Sequence, residues 1–133
     1  MDYPPDQSPA RRAASRASAQ RRRIESDARA VVVFDLVAAA TGVPVARLMQ
    51  LGRGTVTVSE ARNLAMYMLH VALGLSYAEV ATLLGLNRST IAYACARIED
   101  ERDNNGFNEM LDTLEAIICK QVAKDRMASL AQA

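Results

Sequence analysis

Four consecutive polar residues, Asn87 to Thr90, carry side chains that can hydrogen-bond to the edges of nucleic-acid bases. The guanidinium of Arg88 has the donor geometry to pair with guanine, and the amide of Asn87 has the donor and acceptor that adenine requires. Ser89 and Thr90 add hydroxyl groups that suit either a base or a phosphate. The same residue types also make a polar turn with Asn87 or Ser89 as a helix cap, so the run alone leaves both roles open.

The segment that must position these residues runs from Leu75 to Glu99 and predicts two helices joined by a tight turn. Ser76 and Glu79 have the spacing of a capping box, which marks a helix start. Gly85 marks the end of that helix, because glycine accepts the left-handed backbone that many helix ends use. Apolar residues then recur at helical spacing in the second helix; they are Ile91, Ala94, Cys95 and Ile98. This is a helix-turn-helix pattern, whose second helix can enter a DNA major groove, and it favours base contact for the polar run.

Other side chains around the motif can add contacts. On the second helix, Tyr93 can reach a base methyl group or a phosphate, and Arg97 can reach the DNA backbone. Alternatively, Tyr93 is simply a half-exposed aromatic residue, and Arg97 equally well forms a salt bridge to nearby acids. At the start of the first helix, Ser76 and Tyr77 offer backbone amides that can face a phosphate.

The composition of the chain favours a small all-α protein. Half of the 133 residues are hydrophobic, mainly Ala, Val, Leu, Ile and Met, which suit helices better than a β-sandwich. No apolar run approaches the roughly 20 residues that cross a bilayer, so we expect no membrane partner and a cytoplasmic location. Cys95 and Cys119 fall at helical-core spacings and are predicted to be reduced and buried.

Nothing in the sequence predicts catalysis or a bound cofactor. The single histidine, His70, lies among apolar residues, and together with Cys95 and Cys119 it forms no metal-ligand spacing. An enzyme needs a nucleophile, a base and oxyanion donors that converge, and the sequence offers no such set. We therefore expect no metal, no cofactor and no enzyme activity.

The charge is distributed unevenly along the chain. Residues 1–29 carry a formal charge of +3, whereas the remainder carries −2. Residues 1–23 are rich in Pro, Ser, Ala, Arg and Gln and poor in apolar bulk, so we predict a disordered basic tail there. Its arginines can contact phosphates or can simply keep the chain soluble.

One helical domain is predicted for residues 24–125, with about five to six helices. Its first helix begins at the start of the domain, Pro44 opens a short helix as the first helical residue, and Ser59 caps the helix before the motif. An amphipathic helix over residues 107–125 either covers the core or supports a homodimer. Residues 126–133 are expected to fray.

Three segments resemble the C-terminal DNA-binding domain of the bacterial replication initiator DnaA. They are Ala61-Arg-Asn-Leu-Ala-Met-Tyr67, Ser76-Tyr-Ala-Glu-Val-Ala-Thr-Leu-Leu-Gly85 and Ser89-Thr-Ile-Ala-Tyr-Ala-Cys-Ala-Arg-Ile-Glu99. The initiator's nucleotide-binding module has no counterpart here, since no Gly-rich Lys-Ser/Thr loop occurs. The resemblance implies a stand-alone domain of this kind, in which Arg62 matches a family arginine that contacts phosphate.

The chain departs from the DnaA pattern at the positions that read DNA in that family. The family's recognition helix opens with Arg-Asp-His-Thr-Thr, whereas this chain has Leu86-Asn-Arg-Ser-Thr90 and keeps only the final threonine. The family's basic loop is reduced to Arg53, which is left to supply phosphate or minor-groove contacts. Recognition of a different DNA sequence, or of no DNA, stays open.

Two functions are therefore expected from the sequence. The first is sequence-specific binding of double-stranded DNA by a regulator of replication initiation or transcription, with the helix from Asn87 onward in the major groove. The second is an adaptor that kept the fold and binds a replication-initiation or transcription protein, which the −2 charge outside the tail favours. A homodimer through the last helix is compatible with both.

Overall fold

The computed structural model describes residues 8–50 and 54–132, and this part of the chain contains helices and no strands. The helices in chain order are α1 (Pro9–Glu25), α2 (Ala28–Thr41), α3 (Val45–Leu48), α4 (Val56–Val71), α5 (Tyr77–Leu84), α6 (Arg88–Glu101) and α7 (Asn105–Ala131). The all-α class is confirmed. The helices from α2 to α7 correspond to the predicted bundle, and α1 is an addition to it.

Helix α1 occupies most of the segment predicted to be disordered. Ser8 caps it by accepting a backbone hydrogen bond at 3.2 Å, and Pro9 lies in its first turn. The Ala- and Arg-rich run that follows has a high helix propensity. Ile24 is fully buried and Gln20 is only 4% exposed, so the helix is anchored on the domain. The prediction of disorder is therefore wrong for residues 9–23. It was based on the low apolar content and left out the helix propensity of the run and the two residues, Gln20 and Ile24, that anchor it.

Two of the following helices begin slightly later than predicted. α2 begins at Ala28 rather than Ile24, because Asp27 breaks the helical run and caps the new helix with its carboxylate. Pro44 is the N-cap of α3 and not its first helical residue. Both differences concern only the helix boundary and leave the predicted order of elements unchanged.

The start of α4 differs from the prediction by about one turn. Thr55 caps the helix by accepting a hydrogen bond from the Val58 amide at 3.3 Å. Ser59, the predicted cap, lies inside the first turns of α4. The prediction was wrong because a cap at Ser59 leaves the β-branched residues before it outside the helix, although a helix tolerates such residues once a cap precedes them.

Helices α5 and α6 form the predicted helix-turn-helix. The capping box is confirmed, since the Glu79 amide donates to Ser76 Oγ at 3.1 Å and the Ser76 amide donates to Glu79 Oε1 at 3.0 Å. Gly85 ends α5 with φ of 68°, the left-handed conformation predicted for it. α4 packs against α5 and α6 from behind, with Met68 and Leu69 fully buried.

The last helix, α7, is longer than predicted and reaches Ala131, so residues 126–131 are helical and not frayed. It packs against α2 through a short stripe of buried residues, which are Leu111, Leu114 and Ile118. Beyond this stripe the helix is exposed, with Met127 at 68% and Leu130 at 62%. The predicted role of its amphipathic face in covering the core is thus met by the first half of α7.

The two cysteines have different environments. Cys95 is buried in α6, and burial together with the charge of Glu99 raises the pKa of its thiol to about 11. Cys119 is exposed, and its Sγ lies 3.4 Å from the Ala72 carbonyl. The prediction of burial was wrong for Cys119, because it lies at the border of the buried stripe of α7.

Within the described ranges, no helix combines the length and the apolar character that would be needed to cross a membrane. The same residues contain no group of three or more His, Cys, Asp or Glu side chains that could hold a metal ion.

Candidate nucleic-acid interface

The first turn of α6 presents the predicted polar run to solvent. Its residues, Asn87, Arg88, Ser89 and Thr90, are all exposed. The opposite face of α6 is apolar and is packed against α4 and α5. Because that face is buried, the polar run is held outward on one open surface.

Asn87 and Arg88 retain their hydrogen-bonding capacity. Asn87 is the N-cap of α6, yet its side chain makes no capping hydrogen bond, and its carbonyl accepts from the Thr90 amide at 3.0 Å. Arg88 makes no ion pair with any acidic residue in 8–50 or 54–132. The amide and the guanidinium can therefore offer the paired contacts that base recognition uses.

Tyr93 and Arg97 extend the exposed surface along α6. Ser89, Tyr93 and Arg97 follow one another at four-residue spacing, which places them on one side of the helix. Tyr93 is 64% exposed. Arg97 is also exposed, and the salt bridge considered for it is not formed with the described acids.

A polar network fixes the far end of α6 against α4 and α7. The Tyr67 hydroxyl donates to Glu99 Oε1 at 2.6 Å and accepts from Arg102 Nε at 2.9 Å. Arg102 also donates to Asn108 and to Asp112 on α7. Burial and the hydrogen bond with Glu99 raise the pKa of Tyr67 to about 12. Sequence reasoning missed this network, because Tyr67 fits an apolar helix position and its partners are distant in the chain.

The start of α5 is already well supplied with hydrogen bonds. Ser76 and Glu79 satisfy each other in the capping box, and the bonds from the Ser76 backbone and side chain lower the pKa of Glu79. The Tyr77 ring lies 4.6 Å from the His70 ring, whose Nδ1 is 2.7 Å from the Leu75 carbonyl. The Glu79 carboxylate repels phosphate, so phosphate contact at Ser76 and Tyr77 stays a prediction with a competing charge beside it.

Arg62 lies close to the first turn of α6. With Thr90 and Gln20 it lines a cavity of about 200 Å³. Its Nη2 donates to the Arg47 carbonyl at 3.2 Å, and burial together with the charge of Arg47 lowers its pKa. Arg53, the remaining predicted contact, lies outside the described residues.

Sequence reasoning also missed the contribution of α1 to this site. Gln20 Nε2 donates to the Leu84 carbonyl at 2.9 Å, and Arg23 Nε donates to the Leu83 carbonyl at 3.0 Å. Carbonyls in the last turn of a helix lack partners within that helix. Gln20 and Arg23 thus stabilise the end of α5, from which the chain turns into α6. The Ser8-Pro9 pair was the available signal for a helix, but no local signal indicated where it docks.

The family model described as the bacterial DnaA protein helix-turn-helix matches residues 30–98, which run from α2 to the last turns of α6. This range includes the whole polar run and leaves out α1 and α7. No curated protein gave a significant match to the chain.

Proposed function

This chain belongs to the bacterial DnaA helix-turn-helix family, and from that membership we propose that it binds double-stranded DNA sequence-specifically through α6. The observation that carries the proposal is the exposed run from Asn87 to Thr90 at the start of a helix whose opposite face is buried. Recognition helices enter the major groove with their N-terminal residues against the bases. The role that such binding supports is regulation of replication initiation or transcription in the cytoplasm, without an enzyme activity.

Base recognition is assigned to the first two turns of α6. Arg88 pairs with guanine O6 and N7, and Asn87 pairs with adenine N6 and N7. Ser89 and Thr90 add hydroxyl contacts, and Tyr93 packs one turn later against a thymine methyl group or a phosphate. These positions differ from the family pattern, so the preferred DNA sequence differs from the initiator's own site.

Phosphate contacts are assigned to residues around this helix. Arg97 lies one turn beyond Tyr93 on the same exposed side of α6, and Arg62 lies beside the first turn. The amides at Ser76 and Tyr77, and the side chain of Arg53, complete the predicted set. Such contacts fix the register of a protein on the duplex and supply affinity that depends on salt.

A second function is favoured by the charge of the domain. Residues 26–133 contain 10 Lys or Arg and 12 Asp or Glu, and three of these acids, Glu99 to Glu101, lie at the far end of α6. An acidic body weakens DNA binding, and an exposed aromatic residue such as Tyr93 is typical of protein interfaces. In this alternative, the exposed face of α6 binds a replication-initiation or transcription protein.

The two functions are separated by selecting a target from random-sequence duplexes with the full chain. The selected duplex and a scrambled duplex are then titrated with the wild type, with Arg88→Ala and with Arg126→Ala. Arg126 lies on α7, at a groove shared with α2, so its variant carries the same charge loss away from α6. DNA readout predicts that Arg88→Ala costs about 1–3 kcal/mol on the selected duplex and relaxes its preference, while Arg126→Ala does neither.

A failure of selection would contradict the first function. If no duplex is enriched and all variants bind every duplex equally, the hypothesis that α6 recognises bases is rejected. Retention of a replication or transcription protein by immobilised wild type after nuclease treatment, with loss on Tyr93→Ala, would then establish the adaptor function.

A further inference from the structure

Helix α1 runs antiparallel to α5 and continues past its end. Arg23 meets the Leu83 carbonyl, whereas Gln20, which is earlier in α1, meets the later Leu84 carbonyl. The C-terminal end of α1 accordingly lies beside Leu75 and Ala78 near the start of α5. The N-terminal part of α1 must therefore project beyond α5, in the direction of the turn that leads into α6.

The projecting part of α1 begins next to the proposed DNA-binding surface. Gln20 lines the same small cavity as Thr90, in the first turn of α6, and Arg62, on α4. Only Gln20 and Ile24 are buried in α1, so the preceding residues 9–19 extend without a buried anchor. At about 1.5 Å per residue, these residues span roughly 16 Å, or about five base pairs of a duplex.

The side of α1 that faces α5 carries positive charge. At about 100° per residue, Arg12, Arg16 and Arg23 fall on one side of α1, and Arg23 shows that this side faces α5. Arg11 and Arg22 fall on the side that points away from the domain. Arg12 and Arg16 are both exposed and lie one turn apart.

The charge of α1 contrasts with that of the rest of the chain. Residues 9–25 contain six arginines and one glutamate, a formal charge of +5, whereas residues 26–133 carry −2. Neutralised phosphates supply much of the affinity of proteins for duplex DNA, and residues 26–133 carry no net positive charge to attract them. The helix supplies the charge that the domain lacks, on the side where the bases are read.

We propose that α1 is a second DNA-binding element, in which Arg12 and Arg16 contact backbone phosphates that flank the base pairs read by α6. This inference rests on the proposed DNA-binding function. Double-stranded DNA is favoured over an acidic membrane or protein, because Gln20, from which the charged part of α1 projects, lines the same cavity as Thr90 and Arg62.

The docking of α1 fixes where the projecting helix leaves the domain. The helix is capped by Ser8 and held by the buried Ile24, by Gln20 and by Arg23. A disordered basic tail loses conformational entropy on binding, whereas a docked helix presents its arginines already ordered. The projecting helix therefore approaches the phosphates that flank the recognised bases from a defined direction.

The test compares two pairs of substitutions in the full chain with equal loss of charge. Arg12→Gln/Arg16→Gln removes two positive charges from the side of α1 proposed to face the DNA. Arg11→Gln/Arg22→Gln removes two positive charges from the opposite side. Affinity is measured against salt concentration on the selected duplex, both with long flanks and trimmed to the bases that α6 protects. The first pair is expected to lower the slope of log affinity against log salt by about 2 on the long duplex only, and to leave sequence preference unchanged. The second pair is expected to keep the wild-type slope.

Each contrary result has a distinct meaning. Equal losses for both pairs would overturn the inference in favour of diffuse attraction. Unchanged slopes for both pairs, with preference still lost in Arg88→Ala, would overturn the role of α1 and leave the proposed function standing. Absence of any sequence preference in the wild type would remove the proposed function itself, and the inference with it. The wild type could also bind phosphatidylserine vesicles. If only Arg12→Gln/Arg16→Gln loses that binding and its DNA binding is unchanged, α1 would be assigned to a membrane surface and the inference overturned.

Discussion

Gln20 and Leu84 are joined by a hydrogen bond across 64 positions of the chain, from the Gln20 Nε2 to the Leu84 carbonyl at 2.9 Å. The bond is buried, and Leu84 is the last residue of α5. It connects α1, which lies outside the residues matched by the family model, to the end of α5, just before the turn that leads into α6. The orientation of α1 relative to α6 therefore depends on this contact and on its neighbour from Arg23.

Gln20→Ala is expected to lower the free energy of unfolding by about 1–3 kcal/mol, because the Leu84 carbonyl would stay buried without a donor. Urea denaturation of the full chain measures the loss. Ser18→Ala is the matched control, since Ser18 is exposed on the same helix and its replacement should stay within about 0.5 kcal/mol of wild type. Equal stability of the two variants would show that α1 is not held by this bond.

Gly85→Ala is expected to destabilise the chain by more than Gly74→Ala. Both glycines have positive φ, 68° and 71°, where a side chain costs about 1–2 kcal/mol. The two sites differ in their surroundings. A Cβ on Gly74 meets nothing within 4 Å, whereas one on Gly85 would displace the guanidinium of Arg23, which donates a hydrogen bond to the Leu83 carbonyl. Urea denaturation gives both values, and Arg23→Ala combined with Gly85→Ala should recover part of the difference. If the two glycine variants are equally stable, the Arg23 side chain does not cover the turn.

The helix-turn-helix was predictable because its signals are local. Ser76 and Glu79 are three residues apart, and Gly85 ends α5 by its own backbone preference. The buried face of α6 follows from spacing alone, so the exposure of Arg88 could be inferred as well. The docking of Gln20 could not be inferred from the sequence, since its partner, the Leu84 carbonyl, comes close to it only in the folded chain.

Tyr67→Phe is expected to remove a stabilising contribution that depends on pH. The pKa of Tyr67 rises from 10.0 to about 12 on folding, so its contribution is complete below pH 10 and is lost as the pH rises toward 12. The variant loses the bonds to Glu99 and Arg102, which should cost about 1 kcal/mol at neutral pH. Urea denaturation should therefore show a smaller gap between variant and wild type near pH 11 than at neutral pH. A gap that is constant across this range would mean that the Tyr67 hydroxyl is not held in the network.

Thiol labelling is expected to distinguish the two cysteines. Cys119 is exposed, whereas Cys95 is buried with a pKa raised to about 11, and the thiolate is the reactive form. A thiol reagent at neutral pH should therefore label Cys119 rapidly in the native chain and Cys95 only after denaturation. Cys119→Ser should abolish the rapid phase and Cys95→Ala should retain it. Rapid labelling of Cys95 in Cys119→Ser would contradict the packing of α6 against α4.

The start of α4 gives a test between local pattern and structure. Thr55 accepts a hydrogen bond from the Val58 amide, whereas Ser59, which the sequence pattern suggested as the cap, is exposed within the helix. Thr55→Ala should lower the free energy of unfolding by about 0.5–2 kcal/mol, because an amide loses its cap. Ser59→Ala should be neutral or stabilising by a few tenths of a kcal/mol, since alanine is the better helix former. Urea denaturation of both variants decides the point: a larger loss for Ser59→Ala would place the helix start one turn later and return residues 55–58 to the loop.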